Sequence, residues 1–158
     1  MQATLKLLAI GVVFAIGAAA PGAAVAQDKA KVFKDREALM KQQGTDLGAV
    51  KGFLDDKNDL AKAQTGASDL IVTMKKIPDV FPQGTAGGDP EGKYAAKPEI
   101  WSNWNGFLAA RDAAAQKTDA LVVAVKTGDK AQIQTAFAEL GKNGCTGCHD
   151  KFREELKK

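Results

Sequence analysis

The chain has 158 residues, with 22 lysines and arginines against 19 aspartates and glutamates and a formal net charge of +3. So even a balance excludes the strongly basic composition of a nucleic-acid binder, and the length suits one domain with its own hydrophobic core. With 2 cysteines and 1 histidine, a Cys/His zinc site would lack ligands unless a carboxylate joined it.

The chain opens on a targeting pattern. Lys6 precedes an apolar run from Leu7 to Ile16, and small residues then lead to Ala24-Val25-Ala26, an A-x-A cleavage pattern before Gln27. Residues 1–26 read as an export signal and 27–158 as the mature domain, destined for the periplasm; an uncleaved anchor is the alternative. The run is short for a membrane span, and no later segment is long and apolar enough to be one. The mature chain is therefore not membrane-embedded.

Four helical stretches follow. In the first, from about Lys29 to Leu54, Phe33, Met40, Leu47 and Leu54 recur by sevens, with Val32, Leu39, Val50 and Phe53 beside them. The pattern predicts one broad buried stripe. Gly44, Gly48 and Gly52 lie nearly on one face and are expected to let a neighbour approach closely. The second stretch opens at Asn58 or Asp59, both good N-caps. It runs through Leu60, Ala63, Ala67, Leu70, Ile71, Met74 and Ile77 until Pro78 ends it.

Residues 78–97 hold Pro78, Pro82, Pro90, Gly84, Gly87, Gly88 and Gly92 and read as one long loop, with Phe81 and Tyr94 as its anchors. The third stretch starts at Pro98, which suits a first helical turn. It carries Ile100, Trp101, Trp104, Leu108, Ala115, Leu121, Val122 and Val125, and Gly128 closes it. Asp129 caps the fourth, in which Ile133, Phe137 and Leu140 lead on to Phe152 and Leu156. There is no internal repeat and no strand signal. The expected fold is all-α, an antiparallel four-helix bundle.

The fourth stretch also carries Cys145-Thr-Gly-Cys148-His149, which uses both cysteines and the only histidine. In an exported chain, Cys-x-x-Cys-His is the attachment sequence for c-type haem. The two thiols add across the haem vinyl groups, and His149 binds the iron as proximal ligand. On an ideal α-helix Cys145 and His149 lie about 40° apart and face the same way. The expected cofactor is thus one covalently bound haem c per chain. A Cys145–Cys148 disulfide is an alternative, but Cys-x-x-Cys redox enzymes place the pair near a βαβ pattern that this sequence lacks.

The opposite face of the iron has no second histidine. Beyond the signal, Met40 and Met74 are the only methionines, and Met74 reads as core. Met40, on the buried stripe of the first helix, is either an axial thioether ligand or a core gap-filler. Methionine opposite histidine raises the potential and suits an electron carrier.

The haem motif near the C-terminus, on the last helix of a bundle, resembles the cytochrome c′ family, the class II c-type cytochromes. The resemblance covers essentially all of residues 29–157. It includes Arg36-x-x-x-Met40-Lys41 with Gly44, Phe81-Pro82-x-Gly84-Thr85, Lys97-Pro98-Glu99-Ile100-Trp101 and Cys145-x-x-Cys148-His149-Asp150-x-Phe152-Arg153. High-spin members have a non-ligating apolar side chain at the position of Met40 and bind small gases such as NO or CO. Low-spin members ligate a methionine there, and Leu39-Met40-Lys41 looks like the low-spin kind. The resemblance implies that Arg36 approaches a haem propionate; a solvated surface arginine is the alternative. It also implies that Arg153 lies near the proximal imidazole, rather than in a surface pair with Asp150 or Glu154. Trp101 and Trp104 read as core.

The leading expectation is a periplasmic electron-transfer cytochrome with His149 and Met40 as axial ligands, serving redox partner proteins as a monomer or homodimer. The alternative is a five-coordinate cytochrome c′ that binds NO or CO. An enzyme is not expected, because no second histidine is present to serve as a distal acid–base group.

Overall fold

The computed structural model describes residues 21–157, with side chains from residue 29 onward. The first part of the expected signal, residues 1–20, lies outside the described residues.

Helix α1 (Pro21–Leu54) runs into a tight turn in which Asp56 takes a positive φ of 58°. Asn58 does not cap the next helix; its Nδ2 donates back to Ala49 O at 3.0 Å. Asp59 caps α2 (Leu60–Lys75), accepting from Lys62 N at 2.9 Å. A 3₁₀ turn (Pro78–Val80) starts at the proline that ends the apolar pattern.

The stretch expected to be loop throughout contains a strand, β1 (Tyr94–Ala96). A short α3 (Glu99–Ser102) follows Pro98. The single third helix of the sequence reading is in fact interrupted at Asn103. That residue leaves helical geometry (φ −131°, ψ 54°) and its side chain caps α4 (Trp104–Thr127) by accepting from Gly106 N. Gly128 closes α4 in left-handed geometry (φ 72°), as expected of a C-terminal glycine. Asp129 then caps α5 (Lys130–Glu139) through the amides of Ala131 and Gln132.

The fourth stretch departs from one continuous α-helix. After α5 the backbone widens into a π-helical segment (Leu140–Thr146) and returns to α geometry in α6 (Gly147–Phe152). It then becomes a strand, β2 (Arg153–Glu155), instead of carrying a helical face on to Leu156. β2 pairs antiparallel with β1 in the register Tyr94↔Glu155, Ala95↔Glu154, Ala96↔Arg153. Local periodicity missed this ribbon because each strand is three residues long and its bonds join distant segments.

The helices close into a bundle: α1 packs on α2, α2 on α4, α4 on α5 and the π segment, and α5 back on α1. Leu70, Leu121, Ile133, Leu140 and Val50 are fully buried between them. Each such side chain contributes about 1.5–3 kcal/mol through removal from water. The predicted close approach through the glycines of α1 is found at Gly52, where an added Cβ would run into Asn58 Nδ2, but not at the other two. A Cβ added at Gly44 or Gly48 meets nothing within 4 Å, whereas one at Gly66 of α2 would stand 2.5 Å from Asp46 O and 2.8 Å from Ala49 Cβ. The tight α1–α2 crossing is made by the glycine on the second helix.

Candidate haem site

Cys145, Cys148 and His149 line one cavity of about 500 Å³. α1 supplies another part of its wall through Phe33, Arg36, Met40 and Gln43, and the loop after α2 adds Phe81, Gly87 and Gly88. Phe107 of α4 and Phe152 of α6 meet edge to face at 5.4 Å and complete an apolar lining. The volume and the mainly apolar lining with few polar groups suit a cofactor of drug-like size or larger.

The π segment seats the thiols. Cys145 and Thr146 belong to its wide winding and Cys148 and His149 to α6, so the 40° separation of an ideal α-helix is not carried over unaltered. The shared direction survives, since all three motif residues reach the cavity. Gly144 is buried, and a Cβ there would lie 2.9 Å from Leu140 Cδ1 and 3.5 Å from Ala114 Cβ. A side chain at that point would push the haem-motif segment away from α4.

Both thiols are free, and burial raises their pKa values above the ordinary cysteine range. Burial lowers the pKa of His149, and the charge of Arg153 lowers it further against a smaller opposing effect of Asp150. The imidazole is thereby held neutral, the form that offers a lone pair to a metal.

Arg36 is not a solvated surface residue; it is 7% exposed. Its Nε donates to Val80 O at 2.7 Å, its Nη1 to Gly87 O at 3.3 Å and its Nη2 to Thr85 Oγ1. Thr85 Oγ1 in turn donates to Pro82 O at 2.6 Å. The guanidinium also lies over Phe81 (4.4 Å to the ring centre), Trp101 (5.4 Å) and Phe33 (5.5 Å). Burial pulls its pKa down to about 10, and no carboxylate answers its charge among the described residues. A guanidinium has more N–H donors than these bonds use. The residue is therefore a buried cation with donors left at a cavity wall.

Arg153 stacks on Tyr94, 4.0 Å from its ring centre, and lines the cavity beside His149. It makes no ion pair with Asp150 or Glu154. Tyr94 is 41% exposed and sits in the ribbon, so Phe81 is the buried anchor of the loop. Trp101 donates Nε1 to Phe81 O at 3.1 Å and Pro82 O at 2.9 Å; neither it nor Trp104 lines the cavity. Met74 is core, 3% exposed, and Met40 is only partly buried and reaches the cavity. Gln43 is a site residue that the sequence reading did not single out. Gln43 follows Met40 at i+3, a spacing that could have marked it.

These residues fit a haem: a paired-thiol anchor, a neutral imidazole, an apolar enclosure, and a buried cation without a counter-charge. Comparisons with known proteins agree. The family model described as cytochrome C' matches residues 31–153. Cytochrome c′ of Rubrivivax gelatinosus is 46% identical over 87 residues, 54% of this chain and 64% of that protein. Its crystal structure superposes with a TM-score of 0.67 at 34% identity, covering 80% of this chain and 97% of that one. Cytochrome c′ of Pararhodospirillum photometricum is 35% identical over 75% of this chain and 93% of its own. A nitric oxide complex of a variant cytochrome c prime from Alcaligenes xylosoxidans has a TM-score of 0.68 at 25% identity, covering 80% of this chain and 96% of that one.

Proposed function

The chain belongs to the cytochrome c′ family and carries covalently attached haem c; from that premise we propose that it is a periplasmic cytochrome whose haem, held by His149, takes up small gases such as NO or CO. The observation that carries this reading is the single cavity that the Cys145-x-x-Cys148-His149 segment shares with α1. A variant of the Alcaligenes relative forms a nitric oxide complex, which supports this reading.

Cys145 and Cys148 would hold the haem by thioether bonds, and His149 would hold its iron. Arg36 would offer its spare N–H donors and its unanswered charge to a propionate, a charge-assisted contact. The aromatic lining would exclude water. When bound, the haem would supply a redox-active iron able to take a small neutral ligand. In this reading Met40 would pack against the haem without bonding.

A specific observation favours a second reading: Met40 reaches the same cavity as His149. Should its sulfur hold the iron as well, the protein is an electron carrier serving redox partner proteins. The full chain, matured with haem, separates the two by its absorption spectrum with and without CO. A high-spin spectrum that shifts with CO is expected. A low-spin spectrum indifferent to CO, converted to a CO-sensitive one by Met40→Ala, would overturn gas binding and establish the electron carrier. A chain without covalent haem would overturn both.

A further inference from the structure

Gln43 is 8% exposed, lines the cavity, and has its Nε2 buried without a hydrogen-bond partner. Leaving such a donor unpaired costs about 1–3 kcal/mol, so native structures rarely keep one without a use. Its place on α1 suggests the use. Arg36, Met40 and Gln43 follow at i, i+4 and i+7, with the first and last about 20° apart around the helix. Arg36 thus flanks Met40 on one side and Gln43 on the other, along one wall.

The other buried side-chain donor on this cavity without a hydrogen bond is Arg111 Nε of α4. Its charge is already answered by Asp112 Oδ1 at 2.8 Å. Gln43 is therefore the neutral donor on the wall that carries Met40. A neutral amide donor suits a small ligand whose outer atom carries only partial negative charge.

We propose that Gln43 is the hydrogen-bond donor to a diatomic ligand, CO or NO, on the face of the haem that Met40 covers. This rests on the haem-binding reading and names the group that would select and retain the gas. Nε2 itself is closed off from the open cavity, so the amide makes a half-turn about its Cγ–Cδ bond to bring an Nε2–H to the outer atom of the diatomic, and nothing is transferred. The lining is otherwise mainly apolar, so the donor acts where competing water is scarce.

The test compares infrared spectra and dissociation rates of the CO complex in the haem-loaded protein and in Gln43→Leu. The same pair is repeated in a Met40→Ala background, where the sixth position is open under either functional reading. Loss of a donor to the outer oxygen is expected to raise the C–O stretching frequency in the leucine variant. CO dissociation should quicken by about three- to tenfold, the factor one neutral hydrogen bond supplies. A merely structural role would leave the stretching frequency unmoved. An unchanged frequency and rate in the Met40→Ala pair would overturn the role of Gln43. If the native chain refuses CO while the Met40→Ala pair shows the shift, gas binding falls as the native function and the donor stands.

Discussion

The guanidinium carbon of Arg36 lies 4.4 Å from the centre of the Phe81 ring, joining the first helix to the loop that follows the second. Phe81 in turn meets Phe107 at 5.0 Å and gives its carbonyl to Trp101 Nε1. One buried cation thereby ties α1, the loop and α4 into the wall of the haem cavity.

Arg36→Ala in the haem-loaded protein should therefore lower stability by about 3 kcal/mol, the sum expected of several charge-assisted hydrogen bonds and a cation–π contact in a partly wet setting. Arg36→Lys should recover little of it, because an ammonium cannot reach Val80 O, Gly87 O and Thr85 together from one planar fork. Urea unfolding followed by circular dichroism reads the difference; equal midpoints for the three proteins would refute the clamp.

Gly66→Ala and Gly44→Ala should have opposite effects. At Gly66 the new methyl meets the backbone oxygen of Asp46 at 2.5 Å, so α1 and α2 must move apart, costing about 1–3 kcal/mol. At Gly44, exposed and with nothing within 4 Å, alanine should gain up to about 1 kcal/mol from helix propensity. Thermal melts of the two variants check both signs.

Asp46 should make stability depend on pH. It is 4% exposed; its Oδ1 accepts from Gln42 Nε2 at 2.7 Å and its Oδ2 has no partner. Burial raises its pKa, the Gln42 bond partly offsets this, and the charge of Asp69 raises it further. The folded state therefore holds the proton more tightly than the unfolded chain. The stability this confers is complete below about pH 4, the unfolded value, and is lost as pH rises through the folded one. Asp46→Asn should accordingly melt higher than the native protein near neutral pH, with the advantage shrinking as pH approaches about 4. A constant offset at all pH values would contradict the assignment.

Replacing both Cys145 and Cys148 by serine should abolish covalent haem, while either single variant keeps one thioether. Intact mass after denaturation measures this directly. Haem retained on the double variant through denaturation would place the attachment elsewhere.

Much of the site was legible in the sequence because its chemistry is local. Cys145-Thr-Gly-Cys148-His149 is contiguous, so its reactivity follows from spacing alone. Asp59, Gly128 and Asp129 mark helix ends by bonds or dihedral angles within a few residues, and each does so in the structure. Met40 lies on the cavity side of α1, as its periodicity indicates, though ligation of iron is a matter of distance that periodicity does not encode.

What tertiary structure decided depends on groups far apart in the chain. Arg36 looked as much like a surface residue as a buried one until Val80, Thr85 and Gly87 supplied its partners. The tight crossing moved from Gly44 and Gly48 of α1 to Gly66, because closeness belongs to a pair of helices rather than to one. The widened turn before Cys148 and the β1–β2 ribbon depend on packing against α4 and pairing across the chain. The sequence by itself thus determined the bundle, the cofactor and the segment proposed to anchor it, through short-range chemistry and helical period. Only the tertiary structure decided what surrounds the cofactor, down to the unpaired amide of Gln43, because burial is a property of the assembled fold.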